Sequence, residues 1–365
     1  MPLSEKEQTI LDLLAVNPFI SQQEMADRIA MSRSATANLL SGLQDKGYIQ
    51  GRGYVLNNRN SITCIGAANW DHKLKFKEDF VPQTSNPVSS QISIGGVIYN
   101  VAENLSRLGL SVSLMTLIGD DLTGEQIIQT ARPLMELHAT DRIAGAATGS
   151  YIAVLERSGG LMMGLADMDI CEQMDRGWMI SHRIHLQNSR LIVADCNVHR
   201  SGLEYLIEFS RAEHKDLAII GVSAPKMKRL PADLCGLFLG VFNRDETQAY
   251  FQTDEKDVRL LTRLWIEKAR LEQAVVTAGA DDFAYGDSSE IHLEQTVRTS
   301  NIVDVTGAGD AFSSGVIYGL LQNRPLGQAV RYGAVNAAET IRVKESVRKN
   351  LSSQILEKSM EEKYR

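Results

Sequence analysis

The chain has 365 residues and a formal net charge of −7, with 44% hydrophobic and 23% charged residues, the balance of an ordinary globular protein. That length suits a large domain with a small one, and the acidic balance excludes a protein that coats nucleic acid over its whole surface. No apolar run approaches a membrane span, and the N-terminus is polar rather than signal-like. Cys64, Cys171, Cys196 and Cys235 lack metal-like spacing, so a cytoplasmic protein with reduced thiols and no membrane partner is expected.

Residues 1–56 read as a unit. Glu5 to Val16 carries Ile10, Leu13 and Leu14 at helical spacing. Ser21 with Glu24 is a capping-box pattern opening a second helix, and Ser32 caps a third whose apolar positions are Ala35, Leu39, Leu40 and Leu43. Gly47 to Leu56 reads as a hairpin. Three helices and a two-stranded wing make a winged helix-turn-helix, with Arg33, Ser34, Thr36 and Asn38 as candidate base-reading side chains and Arg52 as the candidate phosphate contact. Residues 1–60 hold six Lys/Arg against six Asp/Glu, so any affinity for duplex DNA would be modest and salt-sensitive. The other reading is a module for packing or dimerisation. Two-fold pairing is how most such domains gain affinity, so a homodimer is expected. Residues 57–60 form a polar linker, and 61–365 the second domain.

In that domain Ile62 to Gly66 is a buried-strand pattern that delivers Asn69 and Asp71 to its C-terminal end, where open α/β sheets bind ligands. Their donors and acceptors suit vicinal hydroxyls, although Asn69-Trp70-Asp71 alone would read as a turn. Gly95-Gly96 precedes a helix with Val101, Leu105 and Leu108 on its apolar side. Between 148 and 170 the period becomes strand-like, with a hairpin turning at Ser158-Gly159-Gly160. Leu191 to Asp195 and Leu217 to Val222 are continuous apolar runs, typical of parallel strands buried on both faces. Leu237 to Phe242 leads into Asn243 and Glu246, which on spacing alone are a helix cap and its partner. Ala274 to Asp282 is a strand and a small-residue turn, where Thr277 and Gly279 permit close approach of a phosphate or ribose. The seven histidines show no metal-binding spacing.

Asp304-Val-Thr-Gly-Ala-Gly-Asp310 is the most informative stretch. Two glycines at a helix start leave backbone amides facing open space, a setting that attracts anions. An Asp there makes chemical sense if Asp310 takes a proton from a hydroxyl while the amides of Gly307, Ala308 and Gly309 stabilise a transferring phosphoryl group. The loop therefore suggests phosphoryl transfer to an alcohol.

This string, together with Gly95 to Gly109 about 200 residues earlier, resembles the two signatures of the ribokinase (PfkB) family of sugar and nucleoside kinases, from about residue 61 to the end. The resemblance implies an α/β fold: a mainly parallel sheet with helices on both faces and a small β lid, its strands near 72–94 and 148–170. It implies ATP and Mg²⁺ as cofactors, and a monovalent cation near Asp304. It assigns the sugar hydroxyls to Asn69, Asp71, Gly95, Gly96 and Asn100. It gives the nucleotide Asn243, Glu246, Thr277 and Gly279, with Glu246 acting on Mg²⁺ mainly through water. It places Asn336, on the helix from about Tyr332 to Thr340, beside the adenine. Ala166-Asp167-Met168-Asp169-Ile170 looks like the pseudouridine kinase branch and makes Asp167 a substrate candidate. Ile98-Tyr99 departs from the pattern, which usually has a small residue there. The implied activity is phosphorylation of the primary hydroxyl of a ribose-containing substrate, a nucleoside such as pseudouridine. The alternatives are a free-sugar kinase, or a transcription regulator that senses a nucleoside or sugar.

Overall fold

Successive side chains of the central strands point to opposite faces, and both faces are apolar. Cys64, Val193, Ala218 and Val241 enter one core, whereas Ile65, Ile192, Leu217 and Phe242 enter the other. A sheet built from such strands must be covered on both sides, and helices cover it. The computed structural model describes residues 3–17, 20–49 and 61–364. Eight strands run in the order Ile291–Glu294, Phe283–Asp287, Gln273–Thr277, Leu239–Asn243, Asp216–Ile220, Leu191–Asp195, Ile62–Ile65, Val112–Met115. The last six are mutually parallel, and the first two pair antiparallel at one edge. All six parallel strands therefore end on the same edge of the sheet.

A separate four-stranded sheet carries, in order, Val88–Gly95, Asn69–Phe76, Ser150–Leu155 and Leu161–Asp167. This sheet holds the strands expected of the lid, and it starts earlier than the sequence suggests. Asn69 and Asp71 lie in the first turnings of a lid strand rather than in a strand-end loop. Asp71 pairs with Ser93 and Tyr151, and Tyr151 with Ala166, so these residues share one face of the lid. Asp167, one residue on, belongs to the opposite face.

The N-terminal helices Glu5–Val16, Gln22–Arg28 and Arg33–Asp45 are capped by Ser4, Ser21 and Ser32. They close over a small core containing Ile10, Leu14, Met25, Leu40 and Leu43. Arg33, Ser34 and Asn38 are exposed on the third helix, as expected of groups that read DNA. Thr36 is not. It is fully buried, and its hydroxyl donates to the Ser32 carbonyl at 3.1 Å. Position 36 lies four and seven residues before Leu40 and Leu43, which places it on the core stripe. Arg52, most of the expected hairpin and the 57–60 linker lie outside the described residues. The three helices touch the larger domain through Asn188, whose buried side chain donates to the Gly47 carbonyl at 3.0 Å. Among the described residues no helix is long and apolar enough to cross a membrane.

A buried polar chain fixes the helices that carry the site. Arg348 donates to Asn336 Oδ1 at 2.9 Å, and Asn336 Nδ2 donates to Asn104 Oδ1 at 3.1 Å and to the Ala311 carbonyl at 2.9 Å. Asn104 in turn donates to the Asn100 carbonyl at 2.8 Å. Helices Val97–Arg107, Ala308–Leu321 and Leu326–Thr340 are thereby tied together beneath the cleft. Both asparagines are bonded through oxygen and amide nitrogen alike, while Arg348 Nε at the end of the chain has no protein partner among the described residues. Asn336→Ala strands Arg348 and should lower unfolding free energy by about 2–4 kcal/mol in denaturant melts.

Candidate active site

Because the parallel strands end together, five polar side chains meet along one sheet edge. Ile62–Ile65 leads to Asn69 and Asp71. Leu191–Asp195 ends on Asp195, Leu239–Asn243 on Asn243, and Gln273–Thr277 on Thr277. Three of the carboxylates here sit where a neighbouring glycine leaves room. A methyl group on Gly95 would collide with Asp71, one on Gly66 with Asp195, and one on Gly221 with Glu246. Gly96 has φ 104° and packs against the Ala67 carbonyl, so no other residue suits the start of that helix. It offers no side-chain cap. Asp195 supplies one from a different strand, its Oδ2 accepting the Ile98 amide at 3.3 Å and its Oδ1 the Asn197 amide at 2.8 Å.

Asp310 is the third residue of helix Ala308–Leu321, after Gly307 at φ 81°. The Gly307 backbone is pressed against Ser346, which excludes any Cβ there. Among the described residues nothing in the protein accepts the amide hydrogens of Gly307 and Gly309, whereas the Ala308 N–H donates to Val305 at 3.2 Å. Among the described residues the Asp310 amide is open as well, so the free amides of this helix start are those of Gly307, Gly309 and Asp310. Asn100 Nδ2 donates to Asp310 Oδ2 at 2.7 Å, which aligns the carboxylate.

Burial pushes the Asp310 carboxyl up to about 7; Asn100 opposes this, and the charges of Asp195, Asp71 and Glu246 add to it. Burial likewise raises Asp71 to about 6 against the pull of Asn69 and Lys73, and Asp195 to about 6 against Asn197. Glu246 rises to about 7 by burial, although its Oε2 accepts the Asn243 amide at 2.8 Å. A carboxylate poised near neutrality at an open helix start can accept a hydroxyl proton and release it again.

Beside these groups lies a cavity of about 890 Å³, lined by Asn243, Thr277, Gly279, Phe283, Ala308 and Gly309 among others. Its size and mostly apolar walls suit a nucleotide base and ribose, with the glycine loop at the phosphate end. Asn336 does not reach it: its amide is spent inside the polar chain, and only its neighbours Ala334, Ala337 and Ala338 line the wall. The adenine contact expected of Asn336 is therefore absent, because its helix turns that side chain into the core. Glu246 is 4% exposed and forms a capping box with Asn243, whose Oδ1 accepts the Glu246 amide at 2.9 Å. From there it can act on a cation in the cavity only through an intervening water. Among the described residues no cluster of three metal-ligating side chains occurs.

Asn69 and Asp71 hydrogen-bond each other at the lid. Asp167 is exposed on the lid's other face and is not brought to them. Ile98 and Tyr99 are packed into the core at 0% and 1% exposure, so their bulk is absorbed there. Two residues the sequence reading passed over belong to the site. Asp195 ended a recognised apolar run, and Lys73 lies two residues after Asp71 in an alternating strand, a spacing that signals a shared face.

Comparison with known proteins places this geometry. Residues 59–352 match the pfkB family of carbohydrate kinases, and residues 3–50 match the winged helix-turn-helix DNA-binding family. The chain belongs to the PfkB family and is a sugar or nucleoside kinase with an N-terminal winged helix-turn-helix. It is 28% identical over 343 residues to the uncharacterized sugar kinase YeiI of Escherichia coli K12, covering 92% of this chain and 93% of that protein. It is 27% identical over 282 residues to the pseudouridine kinase of the same organism, covering 76% and 89%. A solved carbohydrate kinase from Agrobacterium tumefaciens superposes with a TM-score of 0.72 at 30% identity, over 83% of this chain and 97% of that one. Kinases of this family use ATP, generally with Mg²⁺.

The raised Asp310 value has a stability consequence. Its folded pKa of about 7 lies above the ordinary 3.8, so its contribution to stability is full below the unfolded value and is lost as pH rises through about 7. Asp310→Asn should therefore raise the melting temperature of the ligand-free protein at about pH 8, and the gain should vanish toward about pH 4.

Proposed function

We propose that the protein transfers the γ-phosphoryl group of ATP to the primary hydroxyl of a ribose-containing nucleoside, pseudouridine being the first substrate to test. The observation that carries this reading is the convergence of Asp71 and Asp310, close enough for the Asp71 charge to act on Asp310, at the glycine end of a nucleotide-sized cavity. Asp71 and Asn69 hold vicinal hydroxyls from the lid. Asn100 aligns Asp310 and keeps its own side-chain oxygen for the sugar. Asp310 accepts the hydroxyl proton as the new O–P bond forms and the bond to the departing ADP breaks. The Gly307 and Gly309 amides take up charge on the transferring group, and closure of the lid keeps water from competing as acceptor. Mg²⁺, when bound, neutralises the phosphate oxygens; Asn243 and, through water, Glu246 are the residues to hold it. The resemblance to a pseudouridine kinase supports a nucleoside over a free sugar.

The decisive experiment is ATP turnover against a panel of nucleosides and free pentoses. A nucleoside should give the highest kcat/KM, and a free sugar in first place overturns the choice. Asp310→Asn should lower kcat by roughly 10²–10⁴-fold with nucleotide binding kept. The wild-type rate should fall as pH drops through about 7, because a protonated Asp310 accepts no proton. Asp71→Ala should lose the preference for ribosides over their deoxy analogues.

A second activity is favoured by the exposed Arg33, Ser34 and Asn38 on the third N-terminal helix. In this reading a cytoplasmic homodimer binds duplex DNA through its two winged helices and reports the state of the kinase site. Selection from a random duplex pool at low salt, with and without nucleoside, tests it. Arg33→Ala should change the preferred site, whereas Thr36→Val should alter stability alone. Absence of any enriched sequence would leave the domain as an assembly module.

A further inference from the structure

Asp71 and Lys73 stand two residues apart on strand Asn69–Phe76, so both project from the lid face that covers the cleft. Lys73 Nζ lies 2.6 Å from Asp304 Oδ2 and 2.9 Å from Thr306 Oγ1. The other Asp304 oxygen accepts the Thr306 amide at 2.8 Å. These contacts form a ring that joins the lid to the two polar residues just before Gly307. Burial alone would raise the Asp304 carboxyl, yet hydrogen bonds from Lys73 and Thr306 hold it below the usual range. With side-chain exposures of 21% and 27%, the pair lies between surface and core. From the other side the loop is gripped by the Ile341 carbonyl, which accepts the Val303 amide at 2.8 Å and the Asp304 amide at 3.3 Å.

The family resemblance implies a monovalent cation near Asp304, and the donors present do not fit one. Asp304 Oδ2 and Thr306 Oγ1 are both turned to the Lys73 ammonium, and a second positive charge beside it would be repelled. The lid already brings a cation to that spot.

We propose that Lys73 is a positioning residue whose tethered ammonium replaces a free monovalent cation at Asp304. It sets the Asp304–Gly309 loop with its glycine amides toward the cleft. Because Lys73 and Asp71 share a lid strand, the loop is set only when the lid is down, so sugar capture and assembly of the anion-binding amides become one event. Lys73 acts through Asp304 and Thr306, not on the reacting atoms. This inference rests on the phosphoryl-transfer role of the glycine loop and not on which alcohol is the substrate.

The test compares wild type, Lys73→Ala and Lys73→Met in potassium, ammonium and tetramethylammonium chloride at matched ionic strength, reading kcat, nucleotide KM and melting temperature. Alanine leaves an ion-sized space beside Asp304, and methionine fills it without charge. Wild type should turn over and melt alike in all three salts. Lys73→Ala should lose roughly 10–100-fold in kcat, with a smaller change in KM. Potassium or ammonium should restore part of that loss and raise its melting temperature, and tetramethylammonium should do neither. Lys73→Met should stay impaired in every salt. A residue that only props the fold would lower the melting temperature without a salt-specific rescue, and that result overturns the proposal. So does a wild type that needs potassium or ammonium, or a Lys73→Ala variant of undiminished kcat. The wild-type salt comparison decides even if a variant does not fold. The melting measurements need no substrate, so an inert substrate panel would count against the nucleoside reading and leave this test intact.

Discussion

Four carboxylates, those of Asp71, Asp195, Glu246 and Asp310, are held together in a cleft that strips water from them. Their desolvation, with the repulsion that the other three exert on Asp310, is the constraint around which this cleft is built. Three of them rest on glycines that leave room for an oxygen where any side chain would not. Asp195 and Glu246 are neutralised in part by backbone amides, Asp71 by Asn69, and Asp310 by Asn100. A site built this way has a standing demand for positive charge. Lys73 meets part of it from the lid, and a nucleotide arriving with Mg²⁺ meets the rest.

The same demand explains why the polar chain from Arg348 through Asn336 and Asn104 lies directly beneath. Helices whose N-terminal ends carry Asn100 and Asp310 cannot shift by an ångström without losing the bond between them. Hydrogen bonds from the buried Asn336 and Asn104 amides fix the rotation of these helices against one another. On the opposite flank, Asn188 joins the N-terminal helices to a short helix that precedes the strand ending at Asp195. The winged helix-turn-helix module is thus anchored to an element of the kinase layer that leads straight into the cleft.

Much of this was legible in local sequence. The N-terminal helices announced themselves by Ser caps and apolar spacing, and the buried strands by unbroken apolar runs. The glycines before Asp310 pointed to a helix start, and the structure opens a helix there at Ala308. The failures were of a different kind. Thr36 and Asn336 lie on helices that were correctly placed, yet each side chain turns into the interior. Asp167 sits on a correctly placed hairpin, one register step from the face that covers the cleft. Ile98 and Tyr99, which depart from the family pattern, proved to be core.

The sequence by itself determined which elements form and where glycine and carboxylate must occur, because caps, periodicity and phosphate-binding turns depend on residues only a few positions apart. Which face each polar side chain presents depends on what packs against it, and those partners lie far away along the chain. Lys73 meets Asp304 across 231 residues, Asn100 meets Asp310 across 210, and Asn336 meets Asn104 across 232. No local pattern encodes such pairings. They are decided when the parallel strands bring their C-terminal ends to one edge and the lid closes over it.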